Sequence, residues 1–142
     1  MIKIEINQKT SKKLNEGWLA GIVKKVLKWL DVKNADISLA VVGDEEMKKL
    51  NKQYRGKNKT TDVLSFVYEE ARGVPLQGEI IISYPQAAKQ AREGGSGVRE
   101  EVVMLLVHGI LHFCGYDHEV GKVQAEKMFG LQEKFLEKLT KG

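Results

Sequence analysis

The chain reads as an α+β protein: a small mixed four-stranded sheet packed with about five helices, the most apolar helix central. Three observations predict this. Strand-like alternation and β-branched runs fall ahead of Pro85. Helical stripes dominate after it,. The stretch from Val98 to Cys114 is apolar on every side after Glu101, a pattern that belongs to a buried helix,. At 142 residues the chain suits one domain, residues 1–142, with a single sizeable core,.

Residues 1–6 alternate charged and apolar positions and predict a strand,. From Ser11 to Leu30 the apolar positions Leu14, Trp18, Leu19, Ile22, Val23, Val26, Leu27 and Leu30 form a helical stripe, with Ser11 as its cap,. Ala35 to Val42 alternates and then turns apolar, as a central strand does,. Gly43-Asp44 opens a short helix with Met47, Leu50 and Tyr54 on its inner face. A polar loop is expected from Arg55 to Thr61, a strand from Asp62 to Tyr68, and a connection from Glu69 to Leu76 around Gly73 and Pro75. Glu79 to Ser83 is a short β-branched strand,. Tyr84-Pro85 starts another helix, since proline suits the first helical position,. Glu93 to Gly97 reads as a flexible break, and Ser96 as a cap for the helix from Val98 to Cys114,. The last helix, Lys122 to Thr140, shows Val123, Met128, Leu131, Phe135, Leu136 and Leu139 as its stripe.

Composition narrows the class. With 42% hydrophobic and 30% charged residues, the chain is an ordinary soluble one,. The alternating N-terminus is unlike a signal peptide, and no apolar run is long enough to span a membrane,. The single cysteine excludes an internal disulfide and suits a reducing cytoplasm,. The net charge is +4, and between Lys48 and Lys59 there are six cations and no acid. Helix-dipole preference accounts for Lys48, Lys49 and Lys52 in the later turns of a helix opened by Asp44, Glu45 and Glu46,. It does not account for Arg55, Lys57 and Lys59, which read as lying beyond that helix. They form either a solvated basic loop or a rim that faces phosphate.

All three histidines fall between His108 and His118. His108 and His112 are four positions apart, so a helix sets them on one face, about 40° apart. Gly115 can end that helix in a left-handed turn and bring His118 back toward the first two. Three imidazoles at one point make a metal site with an open fourth position. Zinc, one per chain, is the expected ion, though nickel, cobalt or iron would accept the same ligands. Neutral ligands leave the ion its full charge, which acidifies a bound water.

The same spacing is that of the metzincin proteases, H-E-x-x-H-x-x-G-x-x-H, which suggests a zincin-like fold. One position differs: Gly109 stands where a peptidase carries its glutamate base,. The cage is kept and the peptidase base is not. Glycine inside a helix costs about 1 kcal/mol relative to alanine, so the backbone needs open space here, and close helix–helix contact is expected ahead of room for substrate. Cys114 would point away from the histidine face and reads as a small core residue. Asp117 reads as a turn residue, an acceptor for an imidazole N–H, or a proton carrier. Glu119 reads as solvated.

These residues, His108-Gly-Ile-Leu-His112-Phe-Cys-Gly115-Tyr116-Asp117-His118, resemble the H-G-x-L-H-x-x-G-Y-D-H signature of the YbeY family of rRNA maturation factors. Leu50-Asn51 through Tyr54-Arg55-Gly56 to Thr61-Asp62-Val63-Leu64-Ser65-Phe66 resembles that family's L-N-x-x-[FY]-R-x-x-D-x-P-T-D-V-L-S-F block, and Gly78-Glu79-Ile80 its G-[DE]-I strand. Asn58 and Thr60 depart from the usual Asp and Pro.

The resemblance implies a single-strand-specific, metal-dependent endoribonuclease acting in 16S rRNA 3′-end maturation and ribosome quality control. It implies zinc on His108, His112 and His118, and a functional Arg55. Catalysis would then rest on Arg55, His112 and Asp117, with Lys52, Arg55, Lys57 and Lys59 drawing in RNA. The implied partners are single-stranded rRNA and the small ribosomal subunit, with neither DNA nor membrane. Two rivals remain at this point. One is a metallopeptidase-like hydrolase, disfavoured by Gly109. The other is a non-catalytic factor whose metal staples the loop after Gly115, with Tyr54, Tyr68 and Tyr116 available for base stacking.

Overall fold

The computed structural model describes residues 1–68 and 76–141. The connection expected around Gly73 and Pro75 lies outside the described residues. The elements run β1 (Ile2–Gln8), α1 (Glu16–Trp29), β2 (Ala35–Val42), α2 (Asp44–Arg55), β3 (Val63–Val67), β4 (Leu76–Ser83), α3 (Tyr84–Gly94), α4 (Val98–Phe113) and α5 (Lys122–Lys141). The strands form one mixed sheet in the order β1-β2-β4-β3. β1 and β4 both pair parallel with β2, and β3 pairs antiparallel with β4. This is the mixed sheet with helices packed on it that the sequence predicts.

The alternation of β2 divides the core. Ala35, Ile37 and Leu39 join Ile80 and Ile82 of β4 beneath α1 and α4. Ile81 turns to the opposite face, where it meets Met47 of α2 and Leu64 of β3. α4 lies against β3, β4, α1, α3 and α5, and Val102, Leu106, Val107, Ile110 and Leu111 are completely buried. An all-apolar helix is stable in this central place and nowhere on a surface.

Several boundaries differ from expectation. α1 starts at Glu16, not Ser11, because the Asn15 side chain accepts the Trp18 N–H and caps it there,. Leu14 is instead held to Gln8, whose side chain both donates to the Leu14 carbonyl and accepts its N–H. α2 continues through Arg55, which is therefore its last turn and not loop, and Gly56 closes it in the left-handed conformation,. β4 begins at Leu76, since pairing with β2 carries it through Gln77 and Gly78. The expected flexible break is an ordered turn: α3 runs to Gly94, Gly95 is left-handed, and the Ser96 N–H reaches the Ala91 carbonyl. Gly97, not Ser96, is the N-cap of α4, and no side chain caps it. On α5, Val123 is 69% exposed and is not part of the inner stripe, whereas Met128 and Phe135 are buried.

Candidate metal centre

Two structural decisions bring the histidines together. α4 carries His108 and His112 one turn apart on the face toward the edge strand β3. Gly115 then adopts φ +99°, and the Gly115 and Tyr116 N–H groups donate back to the carbonyls of His112 and Leu111. Any side chain at Gly115 would be strained there. The reversal returns His118 to α4. Ring centroids lie 5.2 Å apart for His108 and His118, 6.3 Å for His112 and His118, and 6.4 Å for His108 and His112.

Donor atoms of His112, Asp117 and His118 all come within 4.8 Å of one another and could hold a metal ion. His108 is not in that group. Its Nδ1 instead meets Gln132 Oε1 of α5 at 2.9 Å. Asp117 does more than shape the turn. Its Oδ1 accepts the Glu119 N–H at 2.8 Å and also stands 3.9 Å from His112 Nε2. Glu119, expected to be solvated, is 69% exposed, yet its carboxylate is 3.9 Å from His118 Nε2.

The donor set fits a divalent transition metal. His118 Nδ1 is buried and has no hydrogen-bond partner, a costly state for a polar atom that nothing satisfies,. Burial holds His112 below its ordinary value; Asp117 and Glu119 pull it upward, while His108 and His118 push it down. A proton is thus disfavoured where a lone pair is needed. Imidazoles with a neighbouring carboxylate suit zinc and its borderline relatives.

Gly109 packs against the sheet and not another helix, which corrects the expected partner. A Cβ there would meet Ile80 Cγ2 at 3.0 Å and Val63 Cγ2 at 3.3 Å. Ser65 Oγ donates to the Gly109 carbonyl at 2.9 Å and ties β3 to the same turn of α4. Any side chain at this position, glutamate included, would have to push the Ile80 and Val63 side chains aside by a few tenths of an ångström. Cys114 packs against the core as expected, and burial pushes its thiol up to about 11.

A cavity of about 430 Å³ opens over the histidines. Its wall combines His108, His112, Asp117 and His118 with Thr61 to Phe66 and, from the end of α2, Arg55. Lys52, Lys57 and Lys59 are exposed but do not line it. The basic loop is held in place by Asn51 and Asp44, whose anchoring role the sequence does not reveal. Asn51, buried, donates to the Lys59 carbonyl at 2.8 Å. Asp44 Oδ1 accepts from Thr60, Ser83 and Gln86. Thr60 therefore anchors the loop through its hydroxyl, which a proline there could not do.

Of the tyrosines considered for stacking, Tyr54 and Tyr68 are half exposed, and Tyr54 packs on Phe66 at the cavity wall. Tyr116 packs on the core instead. Phe129 of α5, 47% exposed with its ring 5.7 Å from that of His118, was not foreseen. Neither Phe129 nor Gln132 carries a local signal, because their meeting with the histidines depends on how α5 docks.

Known proteins resemble the chain along most of its length. The family model described as Endoribonuclease YbeY matches residues 2–140. The chain is 46% identical over 141 residues to a protein named Endoribonuclease YbeY from Sulfurihydrogenibium sp. (strain YO3AOP1), covering 97% of this chain and 93% of that one. It is 43% identical over 125 residues to the protein of the same name from Aquifex aeolicus (strain VF5), covering 82% and 83%. The solution structure of TM1509 from Thermotoga maritima superposes with a TM-score of 0.64 at 29% identity, over 94% of this chain and 87% of that one.

Proposed function

The chain belongs to the endoribonuclease YbeY family, and from that premise we propose that it is a metal-dependent endoribonuclease that cleaves single-stranded RNA. One observation carries the reading: Arg55 lines the same cavity as the three histidines. A guanidinium beside a metal-type cage suits a phosphodiester, whose non-bridging oxygens it can pair bidentately.

His108, His112 and His118 would hold the ion, with Asp117 beside His112. A divalent ion bound there supplies a Lewis acid for a phosphoryl oxygen and acidifies water. The chain's own groups do the rest. Arg55 pairs with the non-bridging oxygens of the scissile phosphate and stabilises the charge that grows on them. Asp117, 3.9 Å from His112 Nε2 and exposed enough to meet solvent, would take the proton that the attacking oxygen gives up as it bonds to phosphorus,. Lys52, Lys57 and Lys59 draw the RNA backbone toward the cavity mouth without reading bases. Tyr54 and Phe129 offer exposed faces for unpaired bases, which favours single strands over duplex,.

We extend the reading to 16S rRNA 3′-end maturation and ribosome quality control on the small subunit, in the cytoplasm, within a single domain. No helix among the described residues is long and apolar enough to cross a membrane. The test pairs metal analysis of the purified protein with cleavage of a labelled single-stranded RNA. Wild type should contain zinc and cut the RNA. His112→Ala should lose both, whereas Arg55→Ala should lose cleavage and keep the metal. Cleavage that survives in a metal-free His112→Ala protein would remove the metal from the reaction.

A further inference from the structure

We infer that Gln132 is a positioning residue for His108: it holds the proton on His108 Nδ1 and so leaves Nε2 as the ligating nitrogen. This rests on the three-histidine reading above and adds a residue to it. His108 comes from α4 and Gln132 from α5, 24 residues further along. The contact is His108 Nδ1 to Gln132 Oε1 at 2.9 Å. A carbonyl oxygen only accepts, so the imidazole nitrogen facing it must carry the hydrogen. A neutral imidazole has one N–H, and Nε2 therefore keeps its lone pair. Had the amide been turned over, its NH₂ would donate to Nδ1 and force the hydrogen onto Nε2, closing the ligating atom.

The three-histidine reading requires the first arrangement. Gln132 is half-buried, and His108 lines the cavity shared with His112 and His118. The Gln132 contact takes up Nδ1 of His108, whereas the buried Nδ1 of His118 has no hydrogen-bond partner. The acceptor is an uncharged amide, so it sets the tautomer without adding negative charge to the site. Docking of α5 on α4 thereby becomes part of building the site, and not only of building the core.

The test reads the tautomer directly. Imidazole ¹⁵N shifts of metal-free wild-type protein at pH 8 should show His108 protonated at Nδ1. Gln132→Leu should lose that preference and weaken zinc binding, measured by chelator competition, about 10- to 100-fold. Gln132→Glu should restore both, because a carboxylate also accepts. A purely structural role would not move the tautomer. Wild-type His108 protonated at Nε2 would overturn the inference, and this holds even if Gln132→Leu fails to fold. So would a folded Gln132→Leu with unchanged tautomer and unchanged zinc affinity, while leaving the three-histidine reading intact. Wild type that holds the Nδ1–H tautomer but takes up no zinc would support the Gln132 contact and overturn the cage it serves.

Discussion

Arg55 and Cys114 show how differently single residues declare themselves. Arg55 is an exposed side chain in the basic last turn of α2, and from composition alone it is a solvated cation. The fold sets it on the wall of the cavity that the histidines line. Loss of one well-placed charge-stabilising donor costs about 10²–10³ in kcat, so Arg55→Ala should fall by that order with metal content unchanged. Arg55→Lys should recover only part, because an ammonium cannot span two phosphate oxygens. Equal rates for all three proteins would return Arg55 to the solvent. Cys114 lies between two site histidines in sequence but not in chemistry. With its thiol pushed up to about 11, roughly one molecule in a thousand is thiolate at pH 8,. Alkylation by iodoacetamide should be slow in the native state and fast in urea, and Cys114→Ala should bind zinc as wild type does. The histidines were legible because one short segment holds them all. The contacts of Gln132, Ser65 and Asn51 were not, since each acts through a partner that only the fold delivers.

At the scale of elements, the periodic and turn signals located each strand and helix among the described residues, and the boundary errors sit where a specific contact decides. Asn15 wins over Ser11 because the chain before it is tied to Gln8. β4 extends through Gly78 because a parallel partner is already there, and a Cβ at Gly78 would lie 2.0 Å from the Phe66 carbonyl oxygen. The seating of α4 on the sheet is the element-level feature that matters most to the site. Gly109 lets the helix approach β3 and β4 closely enough for the Ser65 hydroxyl to reach its carbonyl. Gly109→Ala should gain about 1 kcal/mol of helix propensity and lose about 1–3 kcal/mol to crowding against Ile80 and Val63. The crowding should win, giving a net loss of about 1 kcal/mol, seen as a lower urea midpoint at unchanged slope. A stabilised Gly109→Ala would mean that the two side chains yield freely and that close packing does not explain the glycine.

For the molecule as a whole, the site joins parts of the chain that are otherwise separate: the end of α2, the edge strand β3, α4, the turn after it, and α5 through Gln132. An ion bound there would hold these together only in the folded state, so it should stabilise the whole chain. At free zinc 100-fold above its dissociation constant the gain is about 2.7 kcal/mol, or about 5–10 °C in Tm for a domain of this size. Chelation should therefore lower Tm by that amount in wild type and leave His112→Ala unmoved. Acidity should erode the same stability. Burial keeps His112 from taking a proton at its ordinary value when folded, whereas the unfolded chain takes it there. The unfolded state then binds more protons, so the His112 contribution is present above the unfolded value and lost as pH falls through the depressed one. Bound metal strengthens this trend, because protons compete for the same nitrogens. Scans at pH 7.5 and 5.5, with and without chelator, should show a chelator-sensitive shift that is large at the higher pH and small at the lower. A protein that contains zinc yet melts at the same temperature after chelation would show that the ion is not coupled to the fold, and that its site is complete without it.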